Sequence, residues 1–358
     1  MRDIYLRPIG FAHVPNRERM DEVRGALPLA GSKHLDFLGL EVIERQGAAT
    51  STRLVALSDV GERGWGRHAA AVSQIFDRLI WPRAAVAGLA MNTPRLMGIV
   101  NVTPDSFSDG GRFLTAQTAI DHALRLAEEG AEILDIGGES TRPGSDPVPL
   151  EEELRRVMPV LEGLAGRTKA RLSIDTRKAA VMRRAAAVGV DIINDISALT
   201  YDPEAAHTVA ELGLPVVLMH VQGDPKTMQE APHYDNVLLE VFDYLEARIQ
   251  AAVAAGVARE RIIADPGIGF GKTLTHNLQI LAGLSLFHGL GVPLLLGASR
   301  KRFIGGLLGI EQADERVSGS VGAAIAAAAQ GAQIIRVHDV AATRQALTVW
   351  EAAMRGSA

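Results

Sequence analysis

The sequence predicts a (β/α)8 TIM barrel carrying an extra small α/β region at its N-terminus, and two observations support this. From about residue 95 onward, short aliphatic runs alternate with longer segments of helical period, the pattern of parallel βαβ units. The runs number eight, the count that closes a barrel. In order they are Leu96–Val102, Glu132–Ile136, Arg171–Asp175, Asp191–Asn194, Pro215–His220, Ile262–Asp265, Pro293–Gly297 and Ile334–His338. Between them, Leu150, Leu154, Val157, Leu161 and Leu164 form a helical stripe behind three acids, Glu151 to Glu153, which suit a positive helix N-terminus. Val237, Val241, Leu245, Ile249 and Val253 form a second stripe, and Leu347, Trp350 and Met354 a last one. Such stripes are read as core.

Residues 1–91 do not continue the alternation, so the chain divides into 1–91, an addition of unassigned function, and 92–358, the barrel. The addition holds strand-like runs at Ile4–Ile9, Leu40–Ile43 and Arg53–Leu57, and a helix over His68–Ile80 that the Trp81-Pro82 break ends.

Composition excludes several classes of function. With 37 Lys+Arg against 42 Asp+Glu the formal charge is -5, which opposes binding of nucleic acid or anionic membrane through a bulk positive field. Aromatic residues, 4% of the chain, are too sparse for a base-stacking platform. Cysteine is absent, which removes disulfides, thiolate nucleophiles and Cys-ligated metals. Met1 to Val14 carries early charges and no apolar core, and no apolar run approaches the roughly 18 residues of a spanning helix. A soluble cytoplasmic protein is expected.

In a barrel the catalytic groups follow the strand ends. Asn101 to Gly111 and Gly137 to Ser145 are long polar loops after the first two strands, and each later strand ends in polar or charged residues. Helix capping accounts for Asp195, Asp339 and Thr176. Asp175, Asn194, Asp265 and Lys301 should instead converge on one mouth. Two carboxylates, an amide and an ammonium suit a flat, hydrogen-bonding heterocycle. Arg142, Arg336, His338 and Asn101 form a second group suited to phosphate or pyrophosphate with Mg²⁺. Gly267 to Thr273 resembles the end of a P-loop, but Pro266 stands where the motif needs glycine. These glycines are read as a tight loop through which backbone approaches a ligand.

From Leu96 to its end, on the two loop signatures and the order of the later motifs, the chain resembles the dihydropteroate synthase family of folate biosynthesis. The resemblance implies a TIM-barrel transferase, usually homodimeric and targeted by sulfonamides. It joins para-aminobenzoate to 6-hydroxymethyl-7,8-dihydropterin diphosphate and releases pyrophosphate. It implies that Asp175, Asn194, Met219, Asp265, Gly269 and Lys301 hold the pterin. Asn101, through Mg²⁺, and Thr141, Arg142, Arg336 and His338 would hold the diphosphate. Phe107, Pro143, Phe270 and Arg302 would meet para-aminobenzoate. Arg302 stands where the family often has a small hydroxyl residue, so the carboxylate contact falls to backbone donors there. Asp175, Asp265, Lys301, Arg142 and Thr141 are the expected catalytic groups, with released pyrophosphate or Asp105 as proton acceptor. The alternatives are a pterin-binding methyltransferase of the same superfamily, which has no diphosphate to hold, and a catalytically silent pterin-binding paralogue. The Ala-rich Val321–Ala329 segment is a candidate dimer face, or else a helix buried on its own barrel.

Overall fold

The computed structural model describes residues 3–13, 25–47, 49–61, 64–102, 112–140, 146–223 and 227–356. Phe107, Thr141, Arg142 and Pro143, together with Asp105, lie outside them.

The eight expected strands are present as β5 (Arg95–Asn101), β6 (Ile133–Gly137), β7 (Arg171–Asp175), β8 (Ile192–Asp195), β9 (Val216–Met219), β10 (Ile262–Asp265), β11 (Leu295–Leu296) and β12 (Ile334–Val337). They pair in parallel in the order β10-β9-β8-β7-β6-β5-β12-β11, and a parallel bridge between Ala264 and Leu294 joins the two ends. The helices that return the chain are α3 (Arg112–Glu128), α4 (Leu150–Leu164), α5 (Ala179–Ala187), α6 (Ala205–Leu212), α7 (Val237–Ala254), α8 (Leu274–Ala282), α9 (Arg302–Leu308), α10 (Val317–Ala328) and α11 (Val340–Arg355).

Two-residue alternation along the strands decides what fills the barrel. Met97, Ile133, Ile192, Val217, Ile263, Leu295 and Ile334 form one buried apolar cluster at the lower ends. Stepping upward by two from these positions reaches Asp135, Asn194, Met219, Asp265 and Arg336. The same inward face is therefore oily at the bottom and polar at the top. Val86 and Met91, which precede β5, belong to the lower cluster. The last residues before position 92 thus seal the barrel floor.

The addition is an antiparallel sheet of β1 (Ile4–His13), β2 (Leu27–Pro28), β3 (Leu35–Gln46) and β4 (Ala49–Ala56), followed by α1 (Leu57–Val60) and α2 (Ala69–Ile80). Its strands are longer than the apolar runs suggest, because β1 and β3 pair over their whole lengths, from Ile4 with Glu44 to His13 with Leu35. One sheet face packs Leu6, Phe37, Leu40 and Val42 against Val72, Ile75 and Leu79 of α2. The addition docks on α7 and the segment after α8. Tyr5 Oη donates to Asp243 at 2.8 Å, Arg45 reaches the other Asp243 oxygen at 2.6 Å, and the Tyr5 ring meets Phe242 edge-on. The helical stripes face the core, with Leu150, Leu154 and Trp350 half-buried against it and Val253 and Met354 running past it and exposed.

His288 lies buried at this junction. Its Nε2 is 2.9 Å from the Gln330 carbonyl, while its Nδ1 is buried without a partner. Burial, aided by the Arg83 charge, pushes its pKa down to about 3. The unfolded chain therefore binds more protons between roughly pH 3 and 6.5, and stability must fall as pH drops through that window. The expected slope from His288 alone is at most about 1.4 kcal/mol per pH unit. Urea midpoints at pH 7 and 5.5 should differ less in His288→Gln than in the parent chain.

Candidate active site

The expected pterin group converges at the barrel mouth. Asp175 and Asp265 end β7 and β10, Asn194 is the next-to-last residue of β8, all three are nearly fully buried, and Met219 ends β9 beside Asp265 in register. Asp265 accepts the Gly267 N–H at 2.7 Å. Lys301 donates to the Ile268 carbonyl, and its Nζ stands 4.5 Å from the centre of the Phe270 ring. The chain reaches Lys301 through Arg300, a non-glycine residue at φ +58. Such a conformation costs about 1–2 kcal/mol. It is held by two hydrogen bonds to Asp339 and by Ser320 Oγ on its N–H at 2.8 Å. Asp339, expected as a cap, makes no side-chain cap and is instead the partner of Arg300.

Arg336 sits differently from expectation. Placed by resemblance with the diphosphate group, its guanidinium is bonded to carboxylates at the pterin end. Nε donates to Asp135 at 2.6 Å and Nη2 to Asp175 at 2.9 Å. Asp135 is the residue the sequence reading overlooked. It lies inside β6 rather than after it, and is fully buried among Ser173, Asn194 and Arg336. A carboxylate within the apolar run Ile133-Leu134-Asp135-Ile136 was the available signal.

These contacts set the site's electrostatics. Burial, then the Asp135 charge, pushes Asp175 up to about 8 against the pull of Arg336. Burial also raises Asp265, opposed first by Lys301. It draws Lys301 down to about 7, with Asp265 opposing. Protons can thus redistribute in this well near neutral pH, and donors and acceptors alternate around it.

Of the expected anion group, Asn101 ends β5, and His338 follows β12 with its Nδ1 3.0 Å from Ser299 Oγ. Phe270 is half-buried beside Lys301, and Arg302 is exposed at the start of α9. The P-loop lookalike is structural. Lys272 is only 3% exposed, and its Nζ lies 2.8 Å from His220 Nδ1 and 2.9 Å from the Phe270 carbonyl. Burial holds this amine well below its usual range. The glycines serve close packing. A Cβ at Gly267 or Gly271, both at positive φ, would fall 1.9 Å from the His220 carbonyl oxygen and 2.4 Å from that of Gln222.

Residues 97–338 match the pterin-binding enzyme family. The dihydropteroate synthase of Escherichia coli is 52% identical over 266 residues, covering 74% of this chain and 94% of the relative. That of Neisseria meningitidis serogroup B is 51% identical over 280 residues, covering 77% and 98%. The chain belongs to the dihydropteroate synthase family. As a family member it is a transferase of folate biosynthesis on a pterin-binding barrel. Among solved structures, the Xanthomonas albilineans dihydropteroate synthase with 4-aminobenzoic acid has 56% identity and a TM-score of 0.72, covering 76% of this chain and 98% of that one. The same organism's synthase in complex with 7,8-dihydropteroate has 53% identity, the same coverage and a TM-score of 0.69. These synthases match about three quarters of the chain, and the family match itself begins at residue 97.

Proposed function

We propose that this chain condenses 6-hydroxymethyl-7,8-dihydropterin diphosphate with para-aminobenzoate to give 7,8-dihydropteroate and pyrophosphate. The observation that carries the reading is the group of buried Asp175, Asn194 and Asp265 with half-buried Lys301, which suits the donor and acceptor edge of a pterin, at the mouth of a barrel about half identical to known synthases.

In this reading the pterin ring lies across Met219 and Gly269, with its polar edge on the two carboxylates, the Asn194 amide and Lys301. The C–O bond to the diphosphate breaks and its electron pair leaves with pyrophosphate. The negative carboxylate population in the well stabilises the positive charge left on the pterin methylene. The aryl amine, held near Phe270 with Phe107 and Pro143, then forms the C–N bond and gives up a proton to the released pyrophosphate or to Asp105. Thr141, Arg142 and His338 bind the diphosphate. Arg336 contributes to this if substrate draws it from its carboxylate partners.

Among the described residues no group of three His, Asp or Glu side chains could hold a metal. A single protein ligand such as the Asn101 amide oxygen fits Mg²⁺, which keeps several waters and binds largely through substrate phosphates. When bound there it would supply charge neutralisation for the departing pyrophosphate. Chelation should therefore abolish turnover, and Mg²⁺ should restore it. Arg142→Ala should lose far more turnover than pterin affinity, measured by pyrophosphate release and by pterin titration; unchanged turnover would remove Arg142 from the reaction.

The same proposal includes a homodimer. Ala323, Ala324, Ala327 and Ala328 of α10 are buried on their own barrel, but Leu307 and Leu308 of α9 and Leu274 of α8 are exposed beside it. Exposed leucines on adjacent helices suit a contact with a second copy. Sedimentation of the full chain tests this.

A further inference from the structure

We propose that Asp135 is a positioning residue for pterin recognition, fixing from below the orientation of Asn194 and Arg336. The inference rests on the reading that Asn194 and Asp175 hold the pterin.

Three strands deliver donors to this one carboxylate. Ser173 Oγ of β7 donates to Oδ1 at 2.6 Å, while Asn194 Nδ2 of β8 and Arg336 Nε of β12 donate to Oδ2 at 2.9 and 2.6 Å. Asp135 itself is wholly buried one inward step beneath Gly137, so it acts on a ligand at the mouth only through the groups it holds.

The consequence for Asn194 follows from hydrogen-bond chemistry. A primary amide looks nearly the same from either end, and its neighbours decide which end faces where. A carboxylate can only accept, so it takes the amide nitrogen and leaves the amide oxygen as the acceptor for a ligand N–H. For Arg336, the bond from Nε fixes the guanidinium plane so that Nη2 meets Asp175 Oδ2 at 2.9 Å. Asp135 thus also sets the field around Asp175. The other charged groups acting there are Arg336, Glu153 and Asp195.

Asp135→Asn is the informative variant, because it keeps the shape but offers an N–H where only an acceptor stood. The Asn194 amide can then turn over, and Arg336 is left to Asp175. The KM for 6-hydroxymethyl-7,8-dihydropterin diphosphate is expected to rise roughly 30- to 100-fold. The KM for para-aminobenzoate should stay within about twofold. With one negative charge gone, the titration belonging to Asp175 should move down by about one pH unit or more in the kcat/KM profile. A protein that is only less well folded would show neither the substrate-selective split nor the displaced profile.

The decisive comparison is a double-mutant cycle on pterin affinity with Asn194→Ala. Strongly non-additive losses support action through Asn194, and additive losses overturn it. Should Asp135→Asn fail to fold, Asp135→Ser keeps a small polar group there but removes the carboxylate that Asn194 and Arg336 share. A pterin-selective rise in KM then supports the proposal, and an unchanged KM overturns it. If Asn194→Ala and Asp175→Ala both leave pterin affinity intact, the pterin site itself has been misplaced. If they weaken it while Asp135→Asn does not, only the role of Asp135 fails.

Discussion

Asp265→Ala is expected to weaken binding of the dihydropterin diphosphate by about two to three orders of magnitude. Its carboxylate does two things in the folded chain. It caps the tight turn after β10 through the Gly267 N–H, and it supplies the nearby negative charge that favours the Lys301 ammonium. Removing a buried, hydrogen-bonded carboxylate costs about 3 kcal/mol, because its partners are left uncompensated. Part of that cost falls on the empty site, which should make Lys301 an uncharged amine. The remainder appears when the ligand meets a site that lacks one acceptor. Titration calorimetry with the pterin diphosphate reads the loss, and thermal unfolding shows whether the barrel survives.

Lys301→Met should be nearly as damaging, and should be felt in turnover. In the proposed reading the Lys301 ammonium donates to the polar edge of the pterin and orients the ring for departure of the diphosphate, and losing one preorganised donor commonly costs about a hundredfold to a thousandfold in rate. The pH dependence makes the prediction specific. Burial draws Lys301 down to about 7, so its ammonium form predominates below that pH and its amine above. If the ammonium is the working form, kcat/KM falls as pH rises through the neutral range. Lys301→Met should abolish that fall and leave the titration of Asp175, near 8, as the remaining feature. A neutral-range fall that persists in the variant would assign it to another group.

The barrel was legible because each strand is an aliphatic run ending in polar residues, and in a closed parallel sheet those ends share one rim. The same logic located Asp175, Asn194, Asp265 and Lys301. It missed Asp135, since a search of strand ends passes over a charge inside a strand. Nor could it show that Arg336, separated from its carboxylate partners by 201 and 161 residues, would be tied to both. That pairing depends on β12 lying beside β5 in the closed barrel. The addition was harder. Its strands are mixed in character, and its attachment through Tyr5 and Arg45 to Asp243, and through Arg78 to Glu246, joins residues with no local signature. Charge arithmetic misled in one respect. Residues 1–91 hold 12 basic and 10 acidic residues, a balance of +2, so the barrel carries -7. The acidic part is the one proposed to receive a diphosphate, and net charge does not report which basic side chains, such as Lys301, Arg336 and His338, the strand ends carry locally.

The purified full chain is incubated with 6-hydroxymethyl-7,8-dihydropterin diphosphate, para-aminobenzoate and Mg²⁺, and both products are quantified in the same samples over time. 7,8-Dihydropteroate and pyrophosphate should form in equal amounts, neither appearing when para-aminobenzoate is omitted, with a sulfonamide competing against para-aminobenzoate. Pyrophosphate release that ignores para-aminobenzoate, or tight pterin binding with no dihydropteroate formed, would contradict it.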